Sequence, residues 1–314
     1  MAAIKQKIVP HLWFDKEARE AAEFYVTDFP DSEVTNITTL HDTPSGDSDI
    51  VSFKLRGYAF MAISAGPLFK FNPSISFMVN FDPSQDVDAK ARIDALWAKL
   101  SEDGKVLMPL DTYPFSERYG WTEDKYGLSW QLILTNPEGE ERPLIIPSLL
   151  FVGNVYGKAE EASAFYLSVF RNLPAAQASA DTKRGALVHH SAEQEPDREG
   201  TVMFTDFKIE GQWFAAMDSA LDHHFQFNEA ISFMVYCKDQ AEIDYYWGKL
   251  SADPRAEQCG WIKDKYGVSW QIVPAALAGM MRDQDTERLA RVTQAFLKMK
   301  KLDLAALQRA FDGQ

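Results

Sequence analysis

The sequence predicts an α+β fold: two tandem repeats, each made of two β-α-β-β-β units, followed by C-terminal helices. Three observations carry this. At 314 residues the chain exceeds the usual size of one hydrophobic core and suggests about two. One long run occurs twice, GWTEDKYGLSWQL from Gly120 to Leu132 and GWIKDKYGVSWQI from Gly260 to Ile272. Three shorter segments recur in the same order: ISFMV at Ile75 and Ile231, Phe69 to Asn72 with Phe225 to Asn228, and Trp97 to Ser101 with Trp247 to Ser251. Collinear matches imply one shared fold, so we place repeats at residues 1–138 and 144–276 and a tail at 277–314.

The elements follow in order. Residues 7–14 read as a strand, and Asp15 is placed to cap a helix whose apolar positions Ala18, Ala21, Ala22 and Tyr25 keep helical spacing until Pro30. Residues 51–64 alternate about Gly57 as a hairpin does, completing the first unit. The second unit runs through strand 75–81, helix 89–100, the Asp103-Gly104 turn, and strands at 105–110, 121–125 and 129–134. The turn-rich stretch Pro137 to Pro143 is a linker. The second repeat has strand 145–152, a helix carrying Ala159, Ala162, Phe165, Tyr166 and Val169, and a hairpin about Gly211. The segment between Ser251 and Gly260 is too short to hold a full counterpart of strand 105–110. In the tail, Leu289, Val292, Phe296 and Met299 share a helical face, and Asp303 caps a last helix presenting Leu304, Leu307 and Phe311; these faces need cover, which predicts docking on a sheet.

The net charge of -14 disfavours nucleic acid and anionic membrane as partners, because both need clustered Lys and Arg. Lys298, Lys300 and Lys301 form one cluster, which suits a helix C-terminus. No stretch of about 18 uninterrupted apolar residues occurs, and Cys237 and Cys259 are too few for a disulfide framework, so we expect a reduced, cytoplasmic protein. The aromatic content leaves rings available for lining an apolar pocket.

The motifs Pro10-x-Leu12-x-Phe14, Phe165-Tyr166, Phe-x-Phe-Asn before ISFMV, and Cys259 to Gln271 resemble the PhnB-like, 3-demethylubiquinone-9 3-methyltransferase-like family of the vicinal-oxygen-chelate (glyoxalase) superfamily. The resemblance implies that each repeat curls into a cupped mixed sheet, and that the chain carries within itself the dimer that single-repeat relatives form; a homodimer of the whole chain is a further possibility. It also implies metal-ligand positions: His11, Ser74 and Gln131 in the first repeat, Ser148, Ala230 and Gln271 in the second. One imidazole without a carboxylate is a poor set for a hard divalent ion, so no cofactor is expected, with a metal at His11 as the weaker alternative.

His11 is therefore the candidate acid-base residue. Candidate ligand-binding residues are Gln131, Ser74, Phe69, Phe71 and Asn72, with Gln271, Phe225, Phe227 and Asn228 in the second repeat. Alternation places Gln131 opposite Trp130, and Gln271 opposite Trp270, which makes the glutamines the cup-facing members. Asp124 and Asp264 read as turn-stabilising, Gly127 and Gly267 as supplying permissive dihedrals, and Asp218, His223 and His224 as a solvated loop rather than a ligand cluster. No glycine-rich strand-to-helix loop for a nucleotide-like cofactor is present. A small-molecule binding protein, an enzyme using His11, and an interaction protein with vestigial pockets remain open; any activity is expected in the first repeat.

Overall fold

The structure, a computed structural model, describes residues 6–136, 140–172, 181–283 and 285–314; Pro137 to Gly139 of the expected linker lie outside the described residues. The first repeat contains β1 (Ile8–Phe14), α1 (Ala18–Asp28), β2 (Glu33–Thr43), β3 (Gly46–Leu55) and β4 (Tyr58–Ser64). It continues with β5 (Ile75–Phe81), α2 (Ala89–Leu100), β6 (Lys105–Tyr113), β7 (Ser116–Glu123) and β8 (Ser129–Leu134). The second contains β9 (Ile145–Phe151), α3 (Ala159–Arg171), β10 (Lys183–His189), β11 (Val202–Ile209) and β12 (Gln212–Asp218). After these come β13 (Ile231–Cys237), α4 (Gln240–Leu250), β14 (Trp261–Lys263) and β15 (Ser269–Pro274), and the tail helices α5 (Ala275–Met280), α6 (Thr286–Phe296) and α7 (Leu304–Asp312). As expected from the short second-repeat segment, β6 has no counterpart strand there.

The compact units cut across the sequence repeats. One unit takes the chain up to Lys70 and from Phe227 onward; the other takes Phe71 to Gln226. The seven-stranded sheet of unit 1 runs β14-β15-β13-β1-β4-β3-β2, and the eight-stranded sheet of unit 2 runs β10-β11-β12-β9-β5-β8-β7-β6. Each sheet still joins two halves, one from each repeat: two β-α-β-β-β halves in unit 2, and in unit 1 a β-α-β-β-β half with a shorter β-α-β-β half. The joints are the antiparallel pairs β1–β13, with Leu12 opposite Ile231, and β9–β5, with Leu149 opposite Ile75. Because β5 and β13 both begin ISFMV, either one offers β1 the same apolar register, and side-chain pattern alone does not choose between them.

The asparagines of the Phe-x-Phe-Asn motif sit where the chain passes from unit to unit. In unit 1, Asn228 Nδ2 donates to the Lys70 carbonyl (2.8 Å) and its Oδ1 accepts from Ala230 N (2.8 Å). In unit 2, Asn72 does the same to Gln226 O (3.1 Å) and Ser74 N (2.9 Å). Both are thus used in fixing backbone.

One face of each sheet carries the helices, α1 against β3 and β4 and α4 against β15 in unit 1, α3 against β11 and α2 against β8 in unit 2. Phe14, Phe53, Phe60, Phe233 and Trp270 are fully or nearly fully buried on that face of unit 1. The N-terminus of α1 differs from the expectation: Glu17 occupies the cap position without a side-chain capping bond, and Ser64 Oγ accepts from Ala18 N at 3.2 Å. Asp15 contributes its backbone carbonyl instead, accepting from Gly66 N. Asp303 does cap α7, accepting from Ala306 N at 2.7 Å. The tail docks on the free face of the unit 1 sheet, where Leu277, Met280, Val292, Leu302 and Leu307 bury against Val9, Met234 and Val273. No helix among the described residues is long and apolar enough to cross a membrane.

Candidate functional site

Strand alternation decides which side chains face the tail. β1 presents Val9, His11 and Trp13, β13 presents Met234 and Tyr236, β15 presents Gln271 and Val273, and β4 presents Met61 and Ile63. Between this face and the tail lies a cavity of about 500 Å³, lined by these residues other than Val9, by Asn36, Thr38 and Ile50 of the outer strands, and by Leu277, Met281 and Phe296 of the tail. All of its wall belongs to unit 1.

His11 is buried in this wall, and its Nδ1 has no hydrogen-bond partner. Burial without a counter-charge pushes its pKa down to about 3, so the imidazole is neutral at ordinary pH. Its ring meets the Trp261 indole edge-on at 5.4 Å, and Trp261 in turn packs against Trp13. Gln271 donates from Nε2 to Ser232 Oγ at 2.9 Å; among the described residues its Oε1 accepts no hydrogen bond. Cys259 stands at the cavity wall one residue before the repeated glycine, its thiol held above the usual range by burial.

The equivalent face of unit 2 is built from the same positions with different residues. Ser148 replaces His11, and its buried hydroxyl also lacks a partner. Gln131 donates to Ser76 Oγ (2.6 Å), and its Oε1 accepts from the Tyr119 hydroxyl (2.8 Å). Tyr119 precedes Gly120 as Cys259 precedes Gly260, so a large ring occupies in unit 2 what a thiol leaves open in unit 1. Trp213, aligned with Ala59, packs among Met78, Ile146, Ala215, Ile133 and Phe204. The Arg142 guanidinium lies 3.7 Å over its ring and is fixed by Asp206 (2.7 Å). Side chains fill the unit 2 face.

The structure therefore regroups the candidates. His11 shares a unit with Gln271 and Ala230, whereas Ser74 and Gln131 stand with Ser148, because the halves are exchanged. The expected pairing of His11 with Gln131 in one pocket is corrected accordingly. Of the Phe-x-Phe-Asn residues, Phe69 reaches the cavity and meets Trp13 edge-on at 5.1 Å. Phe71, Asn72, Phe225, Phe227 and Asn228 do not line it, and neither does Ser74. Phe225 lies against the His223 ring, 4.9 Å away.

Asp124 and Asp264 serve the turns. Asp264 Oδ1 accepts from Tyr266 N and Val268 N and Oδ2 from the Trp270 indole, and Asp124 repeats this with Tyr126, Leu128 and Trp130. Asp218 accepts from the backbone of Gly157, Ala159 and Val202. Met61, Met234, Tyr236, Cys259 and Arg282 of the cavity wall were not singled out by sequence; for Cys259 the signal was available, as the residue aligned with Tyr119.

A cupped mixed sheet assembled from two halves built on the β-α-β-β-β plan, one of them a strand short, with its candidate site on the face opposite α1 and α4, defines a member of the vicinal-oxygen-chelate superfamily. More narrowly, the chain belongs to the 3-demethylubiquinone-9 3-methyltransferase family, whose model matches residues 6–133 and again 143–273. Among solved structures it is similar to a PhnB protein from Bacillus cereus, described as a 3-demethylubiquinone-9 3-methyltransferase. The two are 37% identical over 41% of this chain and 100% of that one, with a TM-score of 0.37. Glyoxalase I from Zea mays is 10% identical with a TM-score of 0.50, over 88% of this chain and 97% of that one, a likeness of fold. No curated protein matches the chain.

The superfamily implies a divalent metal on the cup face, and the donor set can be tested. Unit 1 offers His11, Ala230 and Gln271; unit 2 offers Ser148, Ser74 and Gln131. Neither has a carboxylate, and the methyl of Ala230 cannot ligate. Among the described residues no group of three or more His, Cys, Asp or Glu is placed to hold a metal ion. These residues do not fit the metal.

Proposed function

We propose that the chain is a small-molecule binding protein with one site, the unit 1 cavity, which takes an apolar or aromatic compound and needs no resident metal. The observation that carries this reading is the cavity of about 500 Å³ into which a buried imidazole, unpartnered at Nδ1, is built. Its volume falls in the range of small-molecule sites, and its surface is mostly apolar, with polar groups among the lining residues to orient a ligand. A buried nitrogen without a partner costs stability, which a ligand hydrogen bond would offset.

Binding is favoured over catalysis by the state of His11. An imidazole that stays neutral down to about pH 3 is a weak proton acceptor at neutral pH and serves better as an orienting donor or acceptor. The methyl transfer named by the family would need a methyl donor, and the chain has no glycine-rich strand-to-helix loop to hold a nucleotide-like one. Cys237 and Cys259 are not joined in a disulfide, which suits a reducing, cytoplasmic setting.

The test is thermal stabilisation by a panel of apolar and aromatic metabolites, with product analysis of every binder. A compound at about one hundred times its Kd adds ~2.7 kcal/mol to stability. We expect one molecule bound per chain and none in Met61→Trp, which fills the cavity. Turnover of a binder would move the protein to the enzyme class; no binder at all would leave a structural role.

A further inference from the structure

We propose that the ligand of the unit 1 cavity is an apolar monoanion, such as an aromatic or aliphatic carboxylate, whose charged end is held by Arg282 while its body lies along Met234 toward His11 and Trp261. This deepens the binding reading above and rests on it.

The charge balance of the cavity wall is the first support. The whole chain carries 46 acidic and 32 basic residues, yet the wall has one carboxylate, Glu229, against two guanidiniums, Arg255 and Arg282. Glu229 is neutralised by Lys263 at 2.8 Å, and Arg255 is paired with Asp253 at 2.9 Å. Arg282 has no ion-pair partner among the described residues. One uncompensated positive charge therefore stands at the edge of an apolar cavity in an acidic protein, where an anionic head would be selected over a neutral one.

The second support is the polarity along β13. Ser232, Met234 and Tyr236 share one face, and Ser232 lies beside His11 and Gln271. Four residues farther, about 13 Å along the strand, is Tyr236. Tyr236 and Arg282 both line the cavity, and burial pushes the Tyr236 hydroxyl up to about 12 even against the opposing charge of Arg282, so the hydroxyl keeps its proton. The cavity thus has an orienting pole at His11 and Gln271, with Met61 beside His11, then the apolar Met234, then Val273 beside Tyr236, and a cationic pole at Arg282. An elongated amphipathic anion matches that order.

Two fluorescent probes with the same apolar body test it: 8-anilinonaphthalene-1-sulfonate and the uncharged N-phenyl-1-naphthylamine, titrated against the full chain. The wild type should bind the sulfonate more tightly. Arg282→Gln should weaken sulfonate binding about tenfold or more while moving the naphthylamine less than about twofold, and Arg282→Lys should restore part of the loss. Unchanged sulfonate affinity in Arg282→Gln, or equal loss for both probes, overturns the anion proposal. Met61→Trp should abolish both signals, and both probes should slow maleimide labelling of Cys259, which localises them without relying on a substitution. Probe binding that neither treatment affects lies outside the cavity and counts against the proposal. If neither probe binds the wild type, it is the binding reading that falls.

Discussion

At the scale of single residues, the two cups differ through a few substitutions at matched positions. Tyr119 against Cys259 and Trp213 against Ala59 turn one face into packed core and leave the other open, while Ser148 against His11 takes the imidazole away from the filled face. Removing a ring should then open space: Trp213→Ala should create a second, weaker apolar site in unit 2, detected as a rise in naphthylamine stoichiometry from one toward two. Its stability should fall by about 3–5 kcal/mol. His11 carries its own pH signature. Its folded-state pKa of about 3 lies below the unfolded value near 6.5, so between these values the unfolded chain binds a proton that the folded chain does not. Stability is lost as pH falls through that window, by up to about 1.4 kcal/mol per pH unit. Urea unfolding at about pH 7.5 and pH 5.0 should show the wild type losing roughly 2 kcal/mol more than His11→Gln. Equal losses would mean that His11 is not held neutral.

At the scale of elements, the repeated turn and the tail do different work. Gly127 and Gly267 hold φ of +83° and +91° inside the same aspartate-bonded turn, where any Cβ is strained. Gly127→Ala and Gly267→Ala should each cost about 1–2 kcal/mol in urea unfolding, with similar values, because the turn serves the fold alike in both units. The tail is specific to unit 1. Leu307→Ala, at a fully buried position, should cost about 2–5 kcal/mol and make α6 and α7 more sensitive to proteolysis. Much of this was legible in the sequence. The turn motif, the opposite facing of Trp270 and Gln271, and the need of the tail for cover all follow from periodicity. The edge strands β2 and β10 were not individually placed, because neither shows a clean alternation of buried and exposed residues. Asp15 looked like a cap by type and position, yet the bond to Ala18 N comes from Ser64, which is distant in sequence.

At the scale of the whole molecule, the sequence showed two repeats and the structure shows two units, and these are not the same division. The difference was illegible because the ISFMV strands are identical and satisfy the same pairing register with either β1 or β9. For the same reason the candidate site was split wrongly: a list made repeat by repeat joins His11 to Gln131, while the fold joins it to Gln271. Fragments 1–138 and 144–314, expressed together, should co-purify in equal amounts, since each sheet takes strands from both. Independent elution would contradict the exchange of halves. The passage of the chain between units at Lys70 and Phe227 also bears on inheritance. Loss of either repeat from the gene would leave both sheets half-built within one chain, and completing them would take a second copy of that chain. Divergence is left to act position by position, and one cup can become filled while both halves of the gene stay under selection.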